Sequence, residues 1–235
     1  MKNLVVPALF WLLALVPALA QTAPEVRSVA AFHALEVSSG IEVSLTAGAA
    51  QRVEASADTP ELRARLKTEV SDGVLKITFD RKADEVWGRK NFVRNLRVSV
   101  TAAPLTSLKA SSGATVAVKG AYAPDNFRLD LSSGATLSAP DFTAKELQAR
   151  VSSGGVAKLG GKIQRLDVQA SSGGVFKGDN LQATTCDASA SSGGNVAVAV
   201  QETLTADASS GGDVRYTGAP KLTKHTSSGG SVKSR

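Results

Sequence analysis

Apolar and polar residues alternate with a period of two through most of the chain, in stretches on either side of a recurring Ser-Ser-Gly tripeptide. A period of two places successive side chains on opposite faces of a β-strand. A helical repeat would need apolar residues three and four positions apart, and the sequence lacks that spacing. The apolar columns lie five, three and one residues before the tripeptide: Thr106, Phe127, Leu147, Leu166, Cys186, Leu204 and Leu222; Leu108, Leu129, Ala149, Val168, Ala188, Ala206 and Lys224; and Ala110, Leu131, Val151, Ala170, Ala190, Ala208 and Thr226.

The tripeptide itself recurs at a regular interval. Successive starts from Ser111 to Ser227 are 21, 20, 19, 20, 18 and 18 residues apart, and an earlier copy begins at Ser38. Such a period indicates a solenoid in which each repeat forms one coil. Thirteen of the 21 glycines belong to these motifs, where a sharp corner needs the positive φ that glycine adopts freely. The corner serines can hydrogen-bond to backbone groups, or to the next coil when they stack.

These patterns predict an all-β, single-domain parallel β-helix with Ser-Ser-Gly corners and about 18–21 residues per coil. The strong preference for right-handed parallel crossovers favours a right-handed coil. Residues 46–104 interrupt the short period. Within them Thr59-Pro60 is typical of a helix start, and the charged stretch 80–91, which carries Trp87, predicts a loop. We expect one or two longer coils at the N-terminal end, with the helix and loop projecting or capping; a separate second domain is the alternative.

Residues 1–20 have the features of a signal peptide. Lys2 precedes an apolar stretch from Leu4 to Val16, and Ala18-Leu19-Ala20 provides the small residues of a cleavage site. An uncleaved anchor is the alternative, but this apolar run is shorter than the roughly 20 residues that span a membrane. We therefore expect cleavage before Gln21, a mature β-helix domain over 21–235, and export to the periplasm, the outer-membrane surface or the medium.

Charge and composition narrow the classes of partner. After removal of Lys2 the chain has 26 basic and 21 acidic residues, a net charge of +5, and export disfavours nucleic acid as a partner. Anionic glycans or lipid headgroups remain compatible with this charge. Only 5% of the residues are aromatic, and Trp87 and Tyr122, both expected in loops, are the candidates to stack on sugar rings.

Catalytic and metal chemistry finds little support in the sequence. His33 and His225 fall in the first and last coils, too far apart to share a site with one serine nucleophile. We expect His33 to be partly buried and His225 to point outward. Cys186 stands in an apolar column with Leu166 and Leu204, which predicts a buried, unreactive thiol. No catalytic residue, metal site or cofactor is predicted.

The polar side of the strands that precede the corners is the best candidate binding surface. Carboxylates and basic residues on adjacent coils could hold a cation or act on an acidic sugar. A salt-bridged soluble face that discourages aggregation is the structural alternative. The candidate residues are Arg128, Asp130, Arg150, Asp167, Asp187 and Asp207.

The whole mature chain, from about Val29 to its end, resembles a known family. The resemblance is carried by the opening Phe32 to Gly40, by the paired stretches Leu66–Val70 and Leu75–Phe79, and by the serial Ser-Gly corners. These features are similar to those of the putative auto-transporter adhesin head GIN domain family. The resemblance implies an exported β-helical protein of uncharacterised function, with adhesion suggested by the family name and no catalytic residues.

We therefore expect a non-enzymatic binding, adhesion or scaffold module of the cell envelope, whose partner is an envelope or host glycan or a surface protein. The alternative is a polysaccharide-active enzyme that uses the charged face. The last coil, Leu222 to Val232, leaves a sheet edge through which a second copy could associate.

Overall fold

The structure is a computed structural model that describes residues 23–81 and 95–235. The predicted signal peptide, residues 1–20, and most of the predicted charged loop, including Trp87, lie outside the described residues. Within the described ranges the chain forms 17 strands that join in a single sheet system, and one short helix. The prediction of an all-β solenoid of stacked parallel strands is confirmed, whereas its hand stays a prediction.

The first elements build the N-terminal end of the solenoid. Helix α1 begins where predicted, because the Thr59 hydroxyl accepts the Leu62 N–H at 3.2 Å and Pro60 occupies the first turn. The elements are β1 (Glu25–Arg27), β2 (Ala34–Val37), β3 (Glu42–Ala47), β4 (Arg52–Ser56), α1 (Pro60–Arg65), β5 (Leu66–Ser71), β6 (Val74–Phe79) and β7 (Arg97–Ala102).

The remaining strands form the regular coils. Four of them extend for 14 to 16 residues because they bend around the solenoid without leaving the ladder, through local irregularities in register. They are β8 (Ser107–Ala110), β9 (Thr115–Lys119), β10 (Asn126–Leu131), β11 (Thr136–Val151), β12 (Val156–Ala170), β13 (Val175–Ala190), β14 (Asn195–Ala208), β15 (Asp213–Thr217), β16 (Lys221–Thr226) and β17 (Ser231–Ser234).

The first coil along the chain is not the outermost coil in space. Strand β2 pairs in parallel with β6 on one side and with β8 on the other, and β3 pairs likewise with β7 and β9. The chain therefore builds a further coil outside the first one and then returns to continue the stack. Strands β1, β4 and β5 run antiparallel to their neighbours at this end, so that the parallel stack ends there.

Each Ser-Ser-Gly corner is a tight turn with two residues at positive φ. In a representative corner, φ is 48° at Ser172 and 73° at Gly173, and the Gly174 N–H donates to the Ser171 carbonyl at 2.8 Å. Two consecutive positive φ values with this hydrogen bond are the signature of a type I′ turn. We expected glycine to take the positive φ; the second serine takes it as well, in a region that non-glycine residues rarely occupy.

The corner backbone also continues the ladder between coils. The Gly173 N–H donates to the Ser192 carbonyl of the next coil at 3.2 Å, and the same bond recurs from Gly40 to Gly211. Where a second glycine follows, it lies close to the preceding coil: a Cβ on Gly174 would overlap the Val151 carbonyl. The corners of the solenoid are therefore shaped by backbone packing as well as by turn geometry.

The predicted apolar columns form one continuous core from Leu108 to Ala208. Cys186 is 3% exposed and lies between Leu166 and Leu204 in register, so the predicted buried thiol is confirmed. The last coil departs from the pattern, because Lys224 stands opposite Ala206 in an inward column and is exposed.

Two sequence predictions are wrong. Tyr122 lies between β9 and β10, outside the named strands as expected, but it cannot stack on a sugar ring because it is buried. Its ring packs against Phe127 and Phe142, and its hydroxyl oxygen accepts the Leu105 N–H at 2.7 Å. His33 is exposed and packs over Gly73, because it precedes β2 and the strand period does not yet apply to it.

Candidate functional site

The strand segments that precede the corners point their polar side chains outward on one side of the solenoid, here called face A. All six predicted site residues lie on this face, in register with their neighbours on adjacent coils. Three outward columns lie on face A, and the one farthest from the corners includes Glu146, Arg165 and Lys221. The other two are Ser107, Arg128, Gln148, Asp167, Asp187, Thr205 and Thr223; and Lys109, Asp130, Arg150, Gln169, Ser189, Asp207 and His225.

The structure brings the three predicted residues Arg128, Asp130 and Arg150 onto adjacent coils. Asp130 stands directly between Lys109 and Arg150 in one column. Arg128 belongs to the other column and donates to the Gln148 side-chain carbonyl at 3.2 Å. Basic and acidic groups therefore alternate along the column that contains Asp130.

The three remaining predicted residues do not form one cluster. Asp167 and Asp187 lie directly opposite each other, as predicted, at the strand spacing of about 4.8 Å. Arg165 holds Asp187 in an ion pair of 3.3 Å. Asp207 lies in the other column, between Ser189 and His225, so the structure separates it from the Asp167 and Asp187 pair.

The buried thiol of Cys186 beneath face A is in an environment that makes it unreactive. Burial raises the pKa of Cys186 well above its ordinary value, and the negative charges of Asp187 and Asp167 raise it further. A thiolate is the reactive form of cysteine, and this environment disfavours it. Cys186 thus belongs to the core and contributes no nucleophile to face A.

A shallow groove of about 540 Å³ runs between the Asp130 column and the corners, and is here called the corner groove. It crosses four coils, from β8 to β12. Two of the six predicted residues, Asp130 and Arg150, line it, whereas the other four do not. Its polar lining consists of Lys109, Asp130, Ser132, Arg150, Ser152, Gln169 and Ser171.

The polar groups of the corner groove are largely free to meet a ligand. Lys109 is 3.2 Å from Glu36 on the neighbouring coil. Among residues 23–81 and 95–235, no hydrogen bond or ion pair involves the side chain of Asp130 or Arg150. The hydroxyls of Ser132, Ser152 and Ser171 make none of the expected bonds to neighbouring coils either; within the same ranges, the corner hydroxyls in contact with each other are those of Ser38 and Ser39, at 3.3 Å.

Two kinds of feature are absent from the described part of the chain. None of its helices is long and apolar enough to cross a membrane. None of its His, Cys, Asp and Glu side chains gather in groups of three or more that could hold a metal ion.

A second set of charged residues follows the corners and is not among the site residues predicted from the sequence. The segments that follow the corners present outward side chains on face B, defined by the column Ser138, Lys158, Lys177, Ala197, Arg215 and Lys233. Each residue lies six positions after the start of its Ser-Ser-Gly motif. This constant spacing is the signal in the sequence that places these basic residues in one column.

Comparisons with known proteins agree with this architecture. A family model described as "Putative auto-transporter adhesin, head GIN domain" matches residues 31–220. No curated protein matches the chain. A crystal structure of a putative adhesin from Bacteroides fragilis has a TM-score of 0.78 at 19% identity, over 90% of this chain and 96% of that one.

Two structures from Parabacteroides distasonis are also similar. One is described as a putative adhesin, with a TM-score of 0.70 at 19% identity over 90% of this chain and 96% of that one. The other is described as a putative lipid binding protein, with a TM-score of 0.64 at 17% identity over 92% of this chain and 98% of that one. At these identities the likeness shows a shared fold.

Proposed function

Because the chain belongs to the putative auto-transporter adhesin head GIN domain family, we propose that it is a non-enzymatic binding module of the cell envelope. Its ligand is an extended, hydroxyl-rich polysaccharide of the envelope or of a host, held in the corner groove. The observation that carries this proposal is the presence of Asp130 and Arg150 in the groove without partners of their own.

The chemistry of the groove suits sugar hydroxyls. A sugar hydroxyl both donates and accepts hydrogen bonds. The Asp130 carboxylate accepts, the Arg150 guanidinium donates, and the Gln169 amide and the serine hydroxyls do both. Hydrogen bonds to charged groups contribute about 1.5–3 kcal/mol each, more than neutral ones, so Asp130 and Arg150 supply the strongest contacts.

The shape of the groove favours a chain over a compact ligand. The groove crosses the four coils of β8, β10, β11 and β12, and three steps between coils span about 14 Å. Its floor repeats from coil to coil, because the coils of β10, β11 and β12 each contribute one outward side chain and one corner serine. A polymer with repeating hydroxyls matches such a surface.

The alternative function is a polysaccharide-active enzyme that uses the paired carboxylates Asp167 and Asp187. Two carboxylates can share acid and base roles when their environments differ. Here Arg165 already holds Asp187 in an ion pair, and both lie outside the corner groove. Binding without turnover is therefore the function we favour.

Export from the cytoplasm is part of the proposal. It rests on the predicted signal peptide, residues 1–20, and on the adhesin family. The mature chain would act in the periplasm, at the outer-membrane surface or outside the cell, where it would meet polysaccharides.

The test is calorimetric titration of the mature chain, from Gln21, with a panel of neutral bacterial and host polysaccharides, with and without calcium. The variant Asp130→Asn/Arg150→Gln should bind at least 10-fold more weakly than the wild type. The matched control Asp207→Asn/Lys221→Gln also removes one acid and one base from face A but leaves the groove intact, and it should bind like the wild type.

Two outcomes would overturn the proposal. Saturable binding to none of the polysaccharides, or equal loss in the groove variant and in its control, would refute the groove as the site. Release of shorter products that stops in Asp167→Asn/Asp187→Asn would instead establish the enzyme.

A further inference from the structure

The basic column of face B contains two lysines whose charges no ion pair among the described residues neutralises. Lys158 and Lys177 stand directly opposite each other on adjacent coils, at a strand spacing of about 4.8 Å. Both are exposed. In the described part of the chain no ion pair involves either lysine.

Like charges directly opposite each other on neighbouring strands destabilise a sheet. Face A also has one such pair, Asp167 with Asp187, but Arg165 neutralises Asp187 in an ion pair. The other charged column of face A contains both signs, and its Lys109 is paired with Glu36. Face B instead continues its basic column through Arg215 and Lys233, which are also directly opposite each other. Arg215 has a partner of its own, Asp213 at 2.8 Å.

A small residue interrupts the basic column at its centre. Ala197 lies between Lys177 and Arg215 in register, so the two cationic side chains rise on either side of a methyl group, about 10 Å apart at their Cα atoms. An anionic group above Ala197 can be reached from both sides. From Lys158 to Lys233 the column covers four steps between coils, about 19 Å in all.

We propose that the basic column of face B binds an acidic polysaccharide, an extended chain whose carboxylates repeat along its length. A linear row of cations on a rigid ladder matches the repeating carboxylates of such a chain, and each carboxylate near a cation adds to the binding free energy. This site lies on a different face from the corner groove and takes a ligand of different charge. The proposal for face B can therefore be tested independently of the proposed function.

A membrane surface is the competing anionic partner, and the structure favours the polysaccharide. Interfacial proteins add apolar side chains that enter the lipid beside their basic residues. In the described ranges the one large apolar side chain that is exposed is Val26, at 54%, and it lies in β1 at the N-terminal end. Next to the lysines, Val156 and Val175 are only partly exposed.

The experiment measures binding of the mature chain to polygalacturonate, with the fully methyl-esterified polymer as the neutral probe. We expect saturable binding to the acid form, weakened on going from low salt to about 0.15 M because the interaction is between charges, and none to the ester. The variant Lys158→Gln/Lys177→Gln should bind the acid form at least 10-fold more weakly.

The matched control is Lys162→Gln/Lys221→Gln, which removes the same charge from exposed positions outside the column. It should retain binding within about twofold, since only the overall field changes. The proposal would be overturned if the wild type did not bind polygalacturonate, or if it bound the ester equally well. It would also be overturned if both variants lost binding equally, or if the protein bound vesicles of anionic lipid but not polygalacturonate.

Discussion

Gly174 packs directly against the main-chain carbonyl of Val151 in the preceding coil, leaving no space for a Cβ. Gly155 occupies the same place one coil earlier, but a Cβ there would be 3.1 Å from the Leu131 carbonyl. Neither glycine has a positive φ, so packing alone distinguishes them. The two positions form a matched pair with which to test how closely the coils approach.

We predict that Gly174→Ala destabilises the solenoid by about 2 kcal/mol or more and Gly155→Ala by about 1 kcal/mol or less, because overpacking against a rigid backbone typically costs 1–3 kcal/mol. The measurement is the free energy of unfolding from urea titrations of the two variants. Equal losses would show that the spacing between coils relaxes to accept a methyl group.

The second serine of each corner offers a stabilising change. Ser172 has a φ of 48°, a conformation that asparagine tolerates better than most residues, and Asn-Gly is preferred in type I′ turns. We predict that Ser172→Asn stabilises the protein by a few tenths to about 1 kcal/mol, measured by thermal unfolding.

Its control is Ser171→Asn, since Ser171 does not have a positive φ and should gain nothing. A loss of stability in Ser172→Asn, with Ser171→Asn unchanged, would mean that the hydroxyl of Ser172 contributes a contact that the turn geometry does not explain.

The columns, the corner positions and the buried Cys186 could be predicted from the sequence because they depend on a period of two and on a repeat length. The order of the coils could not. Strand β2 takes both of its neighbours, β6 and β8, from within the long interval between Gly40 and Ser111, and periodicity does not say which coil is added to which side.

The candidate sites could likewise be predicted from the sequence only in part. The sequence placed Asp130 and Arg150 on adjacent coils, but the groove depends on which side chains remain unpaired, and this is set by rotamers. The burial of Tyr122 could not be predicted, because its ring packs on Phe127 of β10 and Phe142 of β11, and the period of two does not relate these strands to the connection that carries Tyr122. Lys158 and Lys177 were predictable from their spacing, once the stretches after the corners were aligned.

The opposed lysines of face B make a prediction about stability that needs no ligand. Removing one charge relieves repulsion across the ladder, so Lys177→Gln should raise the free energy of unfolding by about 0.2–1 kcal/mol at low salt. The gain should shrink at about 1 M salt, where the Debye length is near 3 Å. The isolated exposed residue Lys162 is the control, and Lys162→Gln should have little effect. A loss of stability in Lys177→Gln would contradict unrelieved repulsion.

The buried phenol of Tyr122 predicts a loss of stability at alkaline pH. Burial raises the pKa of Tyr122 from 10 to about 12, although the Leu105 N–H partly opposes this shift. The folded state therefore keeps the phenolic proton where the unfolded chain releases it, and its contribution to stability is present below pH 10 and is lost as the pH rises toward 12.

The measurement is the free energy of unfolding between pH 8 and the upper end of that window. We expect the wild type to lose stability steadily above the pKa of a free tyrosine. Tyr122→Phe should be less stable at neutral pH, because the Leu105 N–H loses its acceptor, but should show a flatter profile. Parallel profiles for the two proteins would show that another group governs the alkaline loss.

The last coil tests the predicted self-association. Its inward column contains Lys224 where the preceding coil has Ala206, and an inward-pointing charge is one of the ways in which sheet edges avoid pairing. We predict that Lys224→Val increases association through this coil, because it exposes an apolar edge next to the half-buried Leu222. Sedimentation across a range of concentrations measures the mass. The exposed substitution Lys221→Val is the control for added apolar surface, and a strictly monomeric Lys224→Val would exclude this edge as a site of self-association.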